Sequence, residues 1–135
     1  MCLTTHDEFA VKTQSDIICY KIVNRTRGMR RGKYKSFWRE FPYQLGEEYH
    51  EERFEVVSRL HAHDSCSAVY FGFHSYANNP VGHYLIGENE AVIKCVIPRG
   101  TLMYTSYDNE QYCSQDIRLV AQWDKKKKIW VESFD

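Results

Sequence analysis

The sequence predicts an α+β fold that is mostly antiparallel β-sheet with one or two short helices. Short runs of β-branched and aromatic residues recur along the 135 residues, and Gly, Pro and polar clusters separate them. That alternation is typical of short strands joined by turns. Hydrophobic residues make up 43% of the chain, which is enough for a packed core. The length fits one domain, so we expect residues 1–135 to share a single core.

The strand predictions depend on apolar runs that lie between turn signals. Residues 17–23, with the sequence IICYKIV, form the clearest strand. The same pattern predicts further strands over residues 68–73, 91–97, 102–107, 117–123 and 129–131. The last two are expected to pair as a hairpin in which Trp123 faces Trp130. Asp124 and the lysines of residues 125–128 then form its solvated tip.

One short helix is predicted after residue 79. Asn79 can accept hydrogen bonds from the free N–H groups of a first helical turn. Pro80 suits the first helical position because it has no N–H to leave unpaired, and Gly87 suits the end of the helix. We expect little more than two turns. Residues 53–60 fit either a strand or a helix, and the pattern leaves both open.

Charge and cysteine content favour a cytoplasmic protein. The chain carries 18 basic and 18 acidic residues, and this balance argues against general binding to nucleic acids or to membrane surfaces, which needs a net basic field. No apolar stretch approaches the roughly 18 residues that span a bilayer, and the N-terminus has no leader pattern. The five cysteines include no CxxC pair, so we expect reduced thiols.

A basic segment at residues 25–39 is the most informative feature of the sequence. Its seven cations, with no acidic residue among them, are Arg25, Arg27, Arg30, Arg31, Lys33, Lys35 and Arg39. Guanidinium groups bind phosphates through paired hydrogen bonds, and Tyr34, Phe37 and Trp38 offer rings on which a base can stack. On this hypothesis the ligand contacts include Arg25, Arg30, Arg31, Lys33 and Trp38. Alternatively, the segment is a solvated loop that neutralises the acidic residues of 47–55.

A second candidate lies at His74, Ser75 and Tyr76, where a predicted strand gives way to the predicted helix. Loops at such positions are held by a rigid scaffold and often bind ligands. The imidazole can act as a base or donate to a phosphate, and the two hydroxyls can add polar contacts. Alternatively, these side chains satisfy the backbone groups of a turn.

One grouping has the residue types of a zinc site. His61 and His63 point to the same face if they lie on a strand, and Cys66 is close by. This is the one such tight grouping in the sequence, and a structural zinc site would need a fourth ligand from the more distant His74, His83 or Cys113. Alternatively, the segment is a polar loop before a strand. We therefore expect no metal and no other cofactor, and we assign no catalytic residue.

Several motifs together carry a resemblance to a known group of proteins. The sequence GFHSY at residues 72–76 is followed by VIKCVIPRGT at residues 92–101 and by LMYTSY at residues 102–107. MCL at residues 1–3 and DIICYK at residues 16–21 extend the pattern over most of the chain. It resembles small uncharacterised proteins of gut bacteria and their phages, in which a GFHSY turn precedes a KCxIPKGT strand and turn. The resemblance implies a phage or mobile-element setting and no particular activity.

A more distant similarity is to ADP-ribosyltransferase-like domains. Those place an Arg or His on a first strand, a Ser-rich turn on a middle strand, and a Glu after an IPxGT-like turn. The comparable places in order are held here by Tyr20-Lys21, His74-Ser75 and residues 110–115. The chain has no Arg or His in residues 17–23 and no ExE or QxE triplet near Gln115. The carboxylate that the resemblance implies is therefore missing or displaced.

Three functional hypotheses follow. The first is a phage or mobile-element accessory protein that binds an anionic, nucleotide-derived ligand without turnover, for example to sequester a host signalling nucleotide as a counter-defence. It would act in the host cytoplasm, and it would be a homo-oligomer because paired subunits enclose a ligand more fully. The second is an ADP-ribosyltransferase-like enzyme that uses NAD. The third is a structural or host-protein-binding phage protein, with exposed Tyr and Arg as interface anchors. We favour the first.

Overall fold

A computed structural model of the chain describes residues 3–5, 10–25, 31–36, 41–54, 56–59, 67–69 and 71–134. These residues contain no helix. They form short β-strands, which we number in chain order: β1 (Leu3–Thr5), β2 (Val11–Lys12), β3 (Ile17–Asn24), β4 (Lys33–Lys35), β5 (Pro42–Gln44), β6 (Glu48–His50), β7 (Val56–Arg59), β8 (Ser67–Val69), β9 (Phe73–Tyr76), β10 (Glu90–Ile97), β11 (Leu102–Thr105), β12 (Gln111–Ser114), β13 (Asp116–Asp124) and β14 (Ile129–Val131).

The strands form two antiparallel sheets. The larger has eleven strands and a main order of β14-β13-β10-β3-β9-β12-β11-β2. Three short strands join it at the side, because β4 pairs with β3 and β5, and β6 pairs with β13. The smaller sheet has the order β1-β8-β7. The mostly antiparallel β-architecture predicted from the sequence is therefore confirmed.

The long strands β3, β10 and β13 form the centre of the larger sheet. In β3, Cys19, Lys21 and Val23 are buried, whereas Ile18 on the opposite face is 55% exposed. This alternation places one face of the strand against the core. β10 pairs with β3 over its whole length, and Cys19 lies directly opposite Cys95. The main core therefore lies on one face of these central strands.

The β4–β5 hairpin packs over this buried face. Tyr34 of β4 and Tyr43 of β5 are paired across the hairpin, and both are buried. Tyr43 also contacts Phe41, Tyr49 and Phe73 in an aromatic cluster with ring centroids 5.0–6.3 Å apart. The tilted and edge-on contacts are those that aromatic rings favour. The hairpin is thus held in place by its buried aromatic residues, although both neighbours of Tyr34 on β4 are lysines.

A smaller core lies around β11 and β12. Tyr104 and Cys113 are buried there, and Phe54 and Ala10 pack against them. The hydroxyl of Thr5 donates to the carbonyl of Thr105 at 2.5 Å, which links the smaller sheet to β11. The two sheets therefore meet on this side of the molecule.

Most strand predictions are confirmed, and one is corrected. The strands expected over residues 17–23, 91–97 and 102–107 occur with shifts of one or two residues, as does the β13–β14 hairpin. The single strand expected over residues 68–73 is instead two strands, β8 and β9, in different sheets. The break lies at Gly72, whose φ of +133° is a conformation that side chains disfavour. A Cβ atom at Gly72 would lie 2.5 Å from the Cys113 sulfur.

The helix expected after residue 79 is a single hydrogen-bonded turn. The Asn79 side chain does accept a hydrogen bond from the Val81 N–H at 2.9 Å, as the sequence predicts. The N–H groups of His83 and Tyr84 both donate to the Pro80 carbonyl at 3.1 Å. The turn goes no further because Gly82 has a φ of +84°, outside the helical region. None of the described residues forms a helix able to cross a membrane.

Candidate functional site

A cleft of about 810 Å³ opens where β10 begins and β13 ends. Its walls come from five segments: the basic segment, the turns of residues 81–89, the start of β10, the end of β13 with the turn that follows it, and the end of β14 with the chain after it. Its cationic lining residues are Arg25, Arg31, Lys33, Lys125 and Lys126. Its acidic lining residues are Glu88, Glu90 and Asp124. The larger set is positive, so the lining favours an anion.

Two of these cations are held by the backbone carbonyls of Gly87 and Glu88. Arg25 donates from its side chain to the Glu88 carbonyl at 2.9 Å. The Lys125 ammonium donates to the Gly87 carbonyl at 3.4 Å. Both partners are carbonyl oxygens, so neither contact neutralises the charge. The arginine and the lysine are therefore positioned beside the cleft by hydrogen bonds that bring no carboxylate against them.

The five cations of the cleft have no carboxylate within ion-pair distance in the described part of the chain. Two of the three acidic lining residues accept backbone hydrogen bonds instead. Glu90 accepts from the Gly87 N–H at 3.1 Å. Asp124 accepts from the N–H groups of Lys127 at 3.0 Å and Lys126 at 2.9 Å. These bonds and the nearby lysine charges lower the pKa of Asp124. The Asp124 carboxylate therefore stabilises the turn that follows β13.

A buried hydrogen bond fixes one polar group in the lining. The Tyr34 hydroxyl, which is fully buried, donates to the Oε1 atom of Gln122. Burial raises the pKa of Tyr34, and the charge of Arg25 lowers it by less. The phenol therefore stays a neutral donor at physiological pH. The Oε1 atom of Gln122 accepts this hydrogen bond. The N–H groups of the same amide are therefore the part of this lining side chain that can donate to a ligand.

An aromatic pair borders the cleft at the end of β13. Trp123 lines the cleft and contacts Trp130 at a ring-centroid distance of 5.1 Å, so the cross-strand pair predicted from the sequence is confirmed. Trp130 also contacts Tyr20 at 5.9 Å and has the Lys94 ammonium 4.6 Å from its ring centre. Tyr20 and Lys94 thus hold Trp130 in place, and Trp130 in turn holds Trp123.

The structure brings together three of the predicted ligand-binding residues. Arg25, Arg31 and Lys33 all line the cleft. Arg30 and Trp38 lie outside the described residues. Tyr34 is buried in the core, so its predicted stacking role is wrong. The error arises because β4 directs alternate residues to opposite sides, and the residue between the two lysines points inward.

The second group of predicted ligand-binding residues does not line the cleft. His74, Ser75 and Tyr76 belong to β9 and are not among the residues that line the cleft. Ser75 is 4% exposed and faces the core. The His74 carbonyl accepts a hydrogen bond from the buried Lys21 ammonium at 2.5 Å. Only Tyr76 approaches the cleft, since its ring lies 5.5 Å from that of the lining residue Tyr84.

Two other hypotheses from the sequence are that the basic segment neutralises the acidic residues of 47–55 and that residues 61–66 bind zinc. The ion pairs among them join His50 to Asp116 and Arg53 to Glu51. Neither pair connects the described part of the basic segment to the acidic residues of 47–54. The zinc hypothesis falls on residues 61–66, which lie outside the described chain. Among the described residues, no group of three or more His, Cys, Asp or Glu is placed to hold a metal.

The sequence interpretation missed several lining residues. It treated Lys125 and Lys126 only as a solvated hairpin tip and Trp123 only as a structural residue. The available signal was a run of four lysines that begins two residues after a tryptophan. Gln122 offered no comparable signal, because its role depends on a hydrogen bond to a residue 88 positions away.

Comparison of the chain with protein-family models, curated proteins and solved structures found no match. A function for this protein must therefore be inferred from its own contacts and charges. The cleft carries the strongest evidence, because it combines volume, cations that form no ion pair within the described residues, a fixed amide and an aromatic ring.

Proposed function

We propose that this protein binds a small anionic, nucleotide-derived ligand in the basic cleft and does not turn it over. The observation that carries the proposal is the set of cations in the cleft that have no carboxylate partner in the described residues. Phosphate groups would supply the missing countercharge. Arg25 and Arg31 offer guanidinium forks, and Lys33 adds a point charge.

The remaining lining residues suit the rest of such a ligand. A volume of about 810 Å³ lies in the range of small-molecule sites. Trp123 offers an aromatic surface for a base, and stacking of a base on an aromatic ring contributes about 1–3 kcal/mol. The Gln122 amide offers N–H groups to an acceptor atom of the ligand. The lining therefore offers groups for the phosphates, a base and an acceptor atom, with the base surface of Trp123 and the amide of Gln122 on opposite faces of β13.

The wider setting is part of the same proposal. In the phage or mobile-element context that the sequence resemblance implies, the protein acts in the host cytoplasm. There it sequesters a signalling nucleotide as a counter-defence. Association of two or more copies would enclose the ligand more fully. Sequestration without chemistry accords with a cleft whose Glu90 and Asp124 carboxylates accept backbone hydrogen bonds.

A matched pair of lysines provides the test. The backbone N–H groups of Lys126 and Lys127 both donate to Asp124, and both side chains are exposed, but only Lys126 lines the cleft. Calorimetric titration with ADP should show Lys126→Ala binding about fivefold to tenfold more weakly than the native chain, because a charge-assisted contact is lost. Lys127→Ala, which removes the same charge from the same turn, should bind as the native chain does.

The titration also separates the alternative functions. Equal losses for both lysine variants would show a diffuse charge effect and would contradict a site in the cleft. Release of nicotinamide from NAD would favour the ADP-ribosyltransferase-like enzyme. Absence of any nucleotide binding, together with a host protein that copurifies at fixed stoichiometry, would favour the host-protein-binding role.

A further inference from the structure

A second hollow adjoins the basic cleft. It has a volume of about 510 Å³. The two cavities share Arg31, Gly32, Lys33 and Phe134 as lining residues. We call these four residues, which border both cavities, the ridge, and two cations of the proposed phosphate site belong to it. A ligand whose phosphates rest on the ridge can extend in both directions.

The ridge has a defined position. Gly32 has a φ of +84°, and its carbonyl accepts a hydrogen bond from the Leu45 N–H at 2.7 Å. A Cβ atom at Gly32 would lie 3.5 Å from both the Leu45 side chain and the Phe134 ring. The backbone at Gly32 is thus fixed between two neighbours. Arg31 and Lys33 flank this point on either side along the chain.

The two cavities differ in chemistry. The residues that line only the second hollow are Gln44, Leu45, Glu132 and Ser133. Glu132 repels a phosphate, but its carboxylate accepts hydrogen bonds from hydroxyl groups. The Gln44 amide and the Ser133 hydroxyl both donate and accept. This lining suits a sugar with several hydroxyls, whereas the basic cleft suits a phosphorylated nucleoside.

We propose, on the basis of the function proposed above, that the ligand is a nucleoside diphosphate that carries a second sugar. The nucleoside lies in the basic cleft, the diphosphate lies on the ridge beside Arg31 and Lys33, and the second sugar lies in the hollow beside Glu132. The predicted ligand class is therefore the nucleoside diphosphate sugars. A simple nucleotide fills the first cavity only.

ADP and ADP-ribose form a matched pair of probes, because they share adenosine and the diphosphate and differ in the terminal ribose. ADP-ribose carries less negative charge than ADP. Attraction by charge alone would therefore favour ADP. Calorimetry should instead show ADP-ribose binding at least about tenfold more tightly, as expected for two or more added hydrogen bonds. UDP and UDP-glucose should show the same order.

Two variants locate the second sugar. Ser133 is exposed, so Ser133→Trp should fold and fill the hollow. It should reduce ADP-ribose affinity to that of ADP and leave ADP affinity within about twofold. Glu132→Ala should weaken ADP-ribose binding about threefold to fivefold while leaving ADP binding unchanged or stronger, since a nearby negative charge is removed. Ser15→Trp, at another exposed turn, is the control.

The outcomes distinguish this inference from the proposed function. If ADP binds as tightly as ADP-ribose, or if Ser133→Trp weakens both ligands equally, the second hollow is not a sugar site, although the basic cleft still binds nucleotides. If the native chain binds neither ligand, both proposals are wrong. Selective loss of ADP-ribose binding in Ser133→Trp, with Ser15→Trp unchanged, supports the assignment.

Discussion

Two regions of this protein hold positive charge with no carboxylate partner in the described residues, and they hold it in different ways. Lys21 is 8% exposed, in the core. Its ammonium donates to the His74 carbonyl at 2.5 Å and lies 5.2 Å from the centre of the Tyr43 ring. The cleft cations Arg31 and Lys33 are exposed. The protein itself therefore solvates the buried charge, whereas the cleft cations remain available to a ligand.

The difference shows which positive charges are structural. Burial of an uncompensated ammonium is costly unless polar groups surround it, so Lys21 must be held by its neighbours. A solvated cation needs no such partner, and its removal costs little stability. Substitution of Lys21 should therefore change mainly stability, and substitution of a cleft cation should change mainly ligand affinity.

The first prediction compares two lysine-to-alanine substitutions. Lys21→Ala should lower the free energy of unfolding by about 2–4 kcal/mol, because it removes a buried stem and leaves the His74 carbonyl without this donor. Lys33→Ala should change it by less than about 0.5 kcal/mol, because that side chain is solvated. Urea denaturation at neutral pH measures both values.

A third variant separates the stem of Lys21 from its charge. Lys21→Met keeps most of the buried volume and removes the desolvated ammonium, so it should cost clearly less than Lys21→Ala. Nucleotide affinity should follow the opposite order, with a loss in Lys33→Ala and none in Lys21→Met. Equal stability losses at positions 21 and 33 would show that the two regions do not differ as described.

The second prediction concerns alkaline pH and the core near Lys21. Burial raises the pKa of the Cys113 thiol to about 12 from an ordinary value of 9.0, although the charge of Lys21 opposes this. Between these values the unfolded thiol is ionised and the folded thiol is not, so the unfolded state binds fewer protons. Stability is therefore fully present below pH 9 and falls as pH rises, by about 1.4 kcal/mol per pH unit for this group.

Cys113→Ala tests this assignment. Between pH 9 and pH 10.5 the native chain should lose about 2 kcal/mol more stability than the variant, as measured by urea denaturation at each pH. Burial also raises the pKa of Cys95, so part of the alkaline slope should persist in the variant. Identical slopes in the two chains would mean that Cys113 does not contribute to alkaline unfolding.

The central strands were predictable because their signal is local. Residues 17–23 and 91–97 are rich in β-branched residues, and both form strands of the larger sheet. β4 was missed because two of its three residues are lysines. Its strand conformation depends on Tyr34, whose burial requires the whole core to be present. The expected helix failed because Gly82 interrupts it after one turn.

The cleft was only partly predictable for a similar reason. The cations of the basic segment were visible in the sequence, and Arg25, Arg31 and Lys33 do lie together. Their meeting with Lys125 and Lys126 was not visible, because it depends on a strand order in which β10 lies between β3 and β13. Pairing between strands distant in sequence is set by the packing of their buried faces, which no short motif encodes.

The smallest predicted effect lies at the hydrogen bond between Tyr34 and Gln122, which joins the core to the cleft. Tyr34→Phe removes the hydroxyl that donates to Gln122, and it should lower the free energy of unfolding by about 1 kcal/mol. Nucleotide affinity should fall about twofold to threefold, because the freed amide can rotate away from the ligand.

Gln122→Leu completes a double-mutant cycle with Tyr34→Phe, and the coupling between the two positions should be about 1 kcal/mol by urea denaturation. Additive effects would mean that the phenol and the amide act independently. In that case the core would not position the lining of the cleft, and the amide would be a solvated side chain like Arg31 or Lys33 beside it. A measurable coupling together with weaker nucleotide binding would show that the buried side of the molecule orients a group on its ligand-binding side.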